Sequence, residues 1–199
     1  MTNTNIQEEV IDISKVSIPK ERIDLNAMWV VRRLRAKGYE AYLTGGCVRD
    51  LLLGKQPKDF DVATDALPEQ ITHLFPHARI IGRRFRLVHV YFRNEIIEVS
   101  TFRASVQEEV VSPDSLNNYG TMEEDAWRRD FTVNALYYHL TEARVDDYTG
   151  GLQDLRHHQL RMIGDPVQRY HEDPVRLLRA IRLSAKLDFT IESATEGPL

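Results

Sequence analysis

Asp59 and Asp61 stand two residues apart around Phe60, in a stretch that reads as a strand. Alternate side chains of a strand share a face, so the two carboxylates would project together. Carboxylates held that close repel unless cations lie between them. Mg²⁺ suits such a site, because it takes oxygen ligands and commonly binds through one or two carboxylates plus substrate phosphates. Two such ions about 3.5–4 Å apart serve an attacking and a leaving oxygen in phosphoryl transfer. Taken alone, Asp-x-Asp reads first as a solvated strand end or a turn.

A second feature lies just upstream. Gly45 and Gly46 follow a short apolar run and precede a helical stretch, with Arg49 in its first turn. Glycines at a strand-to-helix junction let backbone N–H groups approach a phosphate, and an arginine adds charge-assisted hydrogen bonds. Arg49 could instead pair with Asp50 or Asp59, and Cys47 reads as a small packing residue. Glu98 lies in a β-rich run; if that strand neighbours the Asp59–Asp61 strand, its carboxylate reaches the same ions. A solvent-facing glutamate gives the same pattern.

These residues need a scaffold, and the pattern predicts an α/β (α+β) one with a mixed sheet flanked by helices. Ile23, Ala27, Val30, Val31 and Leu34 recur at helical spacing between Glu21 and Lys37. Strands are expected at 41–44, 60–63, 87–92, 96–102, 132–139 and 145–148, with a short piece at 160–163. Helices are expected at 48–53, 67–75 and 122–129, and a polar loop at 105–120. The best-marked helix starts at Asp173-Pro174 and runs to about Leu187. Its wheel groups Leu177, Leu178, Ile181 and Ala185 on one side and Arg176, Arg179, Arg182 and Lys186 on another. The implied organisation is a loose tail over 1–20, a catalytic unit over 21–165, and the start of a helical neck over 166–199.

The chain has 199 residues, a formal charge of −4 and one cysteine. The charge excludes a uniformly basic nucleic-acid coat and leaves room for local basic patches. One cysteine excludes an internal disulfide and suggests a reducing, cytoplasmic setting. No apolar run reaches membrane-span length, and the polar start is no signal peptide.

The run GGCVRDLLLGKQPKDFD resembles the signature of the class II nucleotidyltransferases, the family of bacterial poly(A) polymerases and CCA-adding tRNA nucleotidyltransferases. The resemblance continues through IIEVSTFR, RRDFTVNALYY, DYTGGLQDL and HEDPVRLLRAIR, covering about residues 40–190. It implies that Asp59 and Asp61 bind two Mg²⁺ ions and that Gly45, Gly46 and Arg49 hold the triphosphate of ATP. Glu98 and Asp130 both qualify as the third acid, with Arg129 touching nucleotide. Asp173, Arg176, Arg179 and Arg182 are expected to face the incoming base as a protein template.

RIIGRRFRLVHV resembles the poly(A) side of the family more than the CCA side, and Arg83, Arg84 and Arg86 would then offer cations to RNA. The expected activity is addition of AMP from ATP to an RNA 3′ end without a nucleic-acid template, with no membrane partner. CCA addition to tRNA is the alternative, and a non-catalytic RNA-binding relative is the reading of another class. The family's body and tail would lie beyond Leu199.

Overall fold

The computed structural model describes residues 18–82, 86–104 and 118–198. Asp24 caps the first helix, its Oδ1 accepting from the Asn26 and Ala27 amides at 2.7 and 2.9 Å. The helix, α1 (Leu25–Arg35), buries Ala27, Val30, Val31 and Leu34 along one stripe. The predicted start at Glu21 is a separate 3-10 turn, Lys20–Arg22, so the cap begins the helix later than the apolar period suggested.

Seven strands make the main sheet: β1 (Ala41–Thr44), β2 (Asp61–Thr64), β3 (Ala78–Ile81), β4 (Leu87–Tyr91), β5 (Ile96–Thr101), β6 (Leu136–His139) and β7 (Arg144–Asp147). Their order is β3-β4-β5-β2-β1-β6-β7. β2 and β5 pair in parallel and the other neighbours are antiparallel, so the sheet is mixed, as expected. A parallel pair needs a crossover. Here α3 (Pro68–Leu74), β3 and β4 supply it.

The two faces differ. One carries Leu43, Val62, Val88, Val90, Ile97, Val99 and Leu136, all buried in the main core with α1. The other is closed over β1 and β6 by a smaller cluster that includes Tyr42, Ala63, Tyr137 and Ala126 of α4 (Met122–Arg128). Over β3, β4 and the start of β5, several side chains on this second face remain exposed, among them Arg79, Ile81, Tyr91 and Ile96.

Three further helices follow: α5 (Gly151–Arg156), α6 (Pro166–Glu172) and α7 (Val175–Leu187). A two-stranded parallel pair, β8 (Gln159–Leu160) with β9 (Thr190–Ile191), and α8 (Ser193–Glu196) complete the chain. Tyr170, Ala180, Leu187 and Phe189 join the same core cluster as the main sheet.

The structure corrects the wheel drawn for α7. Its inward face is Leu177, Ala180, Leu183 and Leu187, whereas Leu178 and Ile181 are exposed. Amphipathic counting located an apolar sector but could not choose between two overlapping ones, because leucines occupy both. Thr132–His139 is also not one strand. A 3-10 turn, Thr132–Asn134, precedes β6 and turns Asn134 toward the site.

Candidate active site

β2 begins at Asp61, and Asp59 occupies the exposed bend just before it. The single-strand placement expected for both acids is therefore corrected: one strand end carries Asp61 and the bend presents Asp59. Asp61 stands directly opposite Glu98 in the parallel register of β2 and β5. Glu98 is in turn opposite His89 on β4, with His89 Nε2 at 3.4 Å from Glu98 Oε2.

This crowding has an electrostatic signature. Burial, followed by the charges of Glu98 and Asp59, pushes the Asp61 carboxyl up to about 6, against a lowering pull from Arg129. A half-buried carboxylate pressed by two neighbouring acids, with incomplete compensation, makes a setting that suits a hard divalent cation. Among the described residues, no three Asp, Glu, His or Cys side chains converge closely enough to cage an ion unaided. An ion that takes its remaining ligands from substrate phosphate and water fits that donor set.

Gly45 and Gly46 bound the site on the β1 side. Gly45 has φ +74° and ψ −142°, a backbone conformation open to glycine and strained for other residues. A Cβ there would lie 3.3 Å from Asp61 Oδ2 and 3.5 Å from Arg129 Nη1. The bare backbone thus separates an acid from a cation. α2 (Gly46–Leu52) starts at the second glycine, earlier than the sequence suggested.

Arg49 is 4% exposed and folds back beneath Gly46. Its Nε donates to Asp50 Oδ1 at 2.8 Å and its Nη1 donates to Asn134 Oδ1. Arg129, at the end of α4, donates to Asp125 Oδ2 from Nη2 at 3.1 Å and to the Tyr137 hydroxyl from Nε at 3.1 Å. Its Nη1 donates to the Asn134 carbonyl at 3.3 Å. Burial acting alone would lower the pKa of this guanidinium, but Tyr137 and Asp125 outweigh it and hold the charge firmly.

Asn134 therefore connects both arginines. Asp125 and Tyr137 were missed. The i,i+4 spacing of Asp125 and Arg129 on a capped helix was the available signal for the first.

The structure separates the two candidates for third acid. Glu98 adjoins Asp61, whereas Asp130 is turned toward α7, with its Oδ2 2.6 Å from Arg179 Nη2. Its Oδ1 accepts the Phe131 amide at 2.8 Å. On α7 the expected template residues divide. Arg176 is held by Glu172 Oε2 at 2.9 Å and by the Arg169 carbonyl at 2.6 Å. Asp173 accepts the Val175 amide at 3.1 Å. Arg179 and Arg182 are exposed, and Lys186 reaches Asp50 at 3.9 Å.

Of the expected RNA-binding arginines, Arg83 and Arg84 lie outside the described residues. Arg86 is already paired with Glu69 and is no idle cation. Cys47 is buried, with burial foremost pushing its thiol up to about 12. No described helix is long and apolar enough to cross a membrane.

Comparison with known proteins gives the family. Residues 41–161 match the family described as the Poly A polymerase head domain, a span containing Gly45, Asp59, Asp61, Glu98 and Asp130. Poly(A) polymerase I of Haemophilus influenzae is 51% identical over 203 residues, covering 96% of this chain and 45% of that protein. The CCA-adding enzyme of Bacillus licheniformis is 38% identical over 177 residues, covering 88% of this chain and 44% of that protein. Among solved structures, the Bacillus stearothermophilus CCA-adding enzyme in complex with CTP superposes with a TM-score of 0.77 at 35% identity, covering 86% of this chain and 41% of that one. The chain thus spans less than half the length of these relatives. With its mixed sheet, glycine turn and acid-bearing strand ends, it belongs to the poly(A) polymerase head domain family of class II nucleotidyltransferases.

Proposed function

We propose that this chain is the catalytic part of an enzyme that adds AMP from ATP to RNA 3′ ends without a nucleic-acid template. The observation that carries the reading is the pairing of Asp61 with Glu98 beside Asp59, within reach of Gly45 and Arg129. In the reaction a bond forms between the RNA 3′ oxygen and the α-phosphorus. The bond to the bridging oxygen breaks, and pyrophosphate leaves.

Asp59, Asp61 and Glu98 are the residues that would hold two Mg²⁺ ions. Bound there, the ions would neutralise charge developing on the attacking and leaving oxygens. The glycine turn gives the triphosphate close access to backbone N–H groups. Arg129, locked by Asp125 and Tyr137, presents a fixed positive charge on that side, and Arg49 braces the turn from below. Pre-set charges of this kind lower a barrier because they need no rearrangement during the reaction.

Arg182, and Arg179 from its exposed pair with Asp130, are the α7 groups that would meet a base. In this reading Asp173 shapes the start of the helix, and Arg176 fastens α7 to α6. The 51% identity to a poly(A) polymerase I, against 38% to a CCA-adding enzyme, supports AMP as the residue transferred. CCA addition is the second reading, favoured by the close superposition on a CCA-adding enzyme. The lone cysteine fits a cytoplasmic setting for either.

The test offers each NTP separately with two acceptors, an oligoadenylate and a tRNA lacking CCA. Repeated addition from ATP to the oligoadenylate is expected. Preferential CTP addition to the tRNA would replace poly(A) synthesis with CCA addition, and no transfer to either would overturn the enzymatic reading.

A further inference from the structure

Among the described residues, the sheet face that carries the acids is closed on one side of them and bare on the other. Register alignment puts Arg79, His89, Glu98 and Asp61 in one row across β3, β4, β5 and β2. Directly opposed residues project to the same face, so these four share it. Tyr91 and Ile96 form the next row, toward the end of the sheet where Asp59 precedes β2. Tyr91 is 36% exposed and Ile96 47% exposed, although their strand neighbours Val90 and Ile97 are buried on the opposite face. Arg79 is exposed and has no carboxylate partner among the described residues. A cleft of about 690 Å³ opens alongside, between Asp59 and the β4–β5 turn, with Arg93 exposed in its lining.

Phosphoryl transfer sets where the acceptor must lie. The attacking and leaving oxygens stand roughly in line through phosphorus. Gly45 and Arg129 lie on the β1–β6 side of Asp61, so a triphosphate held by them directs its leaving group that way. The acceptor then approaches over β5, β4 and β3.

We infer that this bare half-face is the platform for the single-stranded RNA 3′ end, with the terminal base stacked on Tyr91 and upstream phosphates met by Arg93 and Arg79. The inference rests on the function proposed above and adds the acceptor subsite to it. Tyr91 is two strand spacings from β2, about 10 Å, which leaves room for a sugar between ring and acids. An exposed aromatic beside unpartnered arginines is the arrangement that holds single strands without reading their sequence. Repeated addition requires that tolerance, because the site must accept whatever nucleotide ends the primer before the first AMP arrives. A duplex end offers its bases already stacked and hydrogen-bonded, so the single strand is the occupant that gains from Tyr91.

The experiment measures binding of 5′-fluorescein oligoadenylate at low salt without Mg²⁺, and transfer of AMP separately. Wild type, Tyr91→Ala and Tyr91→Phe are each given two primers, one with an ordinary 3′ nucleotide and one ending in an abasic ribose. Tyr91→Ala should weaken binding of the ordinary primer about tenfold and change binding of the abasic primer less than twofold. Tyr91→Phe should restore the ordinary value, because it keeps the ring. Equal losses on both primers, or no loss on either, would overturn the platform. So would failure of the wild-type chain to bind the oligonucleotide at all. Intact, ring-dependent binding without transfer of a nucleoside monophosphate from any NTP would remove the proposed enzymatic function and leave the platform standing.

Discussion

Arg179 of α7 holds Asp130 at 2.6 Å, while Glu98 stands beside Asp61. The two acids that competed for one role in the sequence therefore have different duties. In the proposed reading Glu98 would support the metal ions, while Asp130 fastens a helix through Arg179. Glu98→Gln should reduce Mg²⁺-dependent turnover at least tenfold and shift the Mg²⁺ titration to higher concentration, with little change in melting temperature. Asp130→Asn should instead lower stability by about 1 kcal/mol, a modest value because Arg179 is more than half exposed and water screens the pair. Parallel Mg²⁺ titrations and urea melts of the two variants check the division. A Mg²⁺ shift in Asp130→Asn alone would reverse it.

Asp61 gives a pH signature in metal-free protein. Its folded pKa of about 6 exceeds the ordinary 3.8, so the folded state binds this proton more tightly than the unfolded state. Its contribution is therefore most favourable below the unfolded value and is lost as pH rises toward 6. Asp61→Asn removes the charge that causes the loss. In EDTA the variant should match wild type near pH 3.5 and be about 1–3 kcal/mol more stable at pH 7.5, while AMP transfer disappears. Denaturation at the two pH values checks the sign, and a stability gap that grows toward acid would contradict it.

Gly45→Ala places a methyl group 3.3 Å from Asp61 Oδ2 on a backbone that only glycine adopts freely. Strain of this kind costs about 1–3 kcal/mol. The expected outcome is a lower melting temperature together with a loss of turnover, since relief must move either the carboxylate or Arg129. Gly38 also has positive φ but meets nothing within 4 Å. Gly38→Ala should lower stability by backbone strain and leave transfer by the remaining folded protein unchanged.

Arg179 also tests the template role. Arg179→Ala should reduce the preference for ATP over CTP and GTP in kcat/KM by roughly tenfold, as expected for loss of one directional base contact. Arg182→Ala, on the same exposed sector, should act similarly without the loosening that follows release of Asp130. Equal proportional losses for all three nucleotides would leave both residues as surface charge.

Much of this architecture was legible in the sequence because local signals coincided with tertiary ones. β1 and β5 alternate or run apolar between turn residues, and Asp173-Pro174 marks the start of α7. The glycine turn and Asp-x-Asp were visible because their chemistry is compressed into 17 residues, from Gly45 to Asp61. β3, α5 and α6 were not seen: each is short, and their register and packing come from distant partners. The same limit hid Tyr137 and Asp125 as supports for Arg129. Their hydrogen bonds depend on how α4 meets the sheet, which no single-segment periodicity encodes. The pairing of Arg86 shows the same limit, since its partner Glu69 lies 17 residues away.

The parallel pairing of β2 with β5 also governs when competence arises during folding. The pair can close after α3, β3 and β4 have been threaded between its strands, so the decisive contact is a non-local one of the kind that forms slowly. A slip of one residue would turn Glu98 into the core and bring Ile97 or Val99 out beside Asp61. Such a misregistered chain could keep its helices and hairpins and still lack an active centre. Under the proposed metal role, divalent-cation affinity should emerge in refolding once β2 and β5 are in register, later than the bulk of the helical signal.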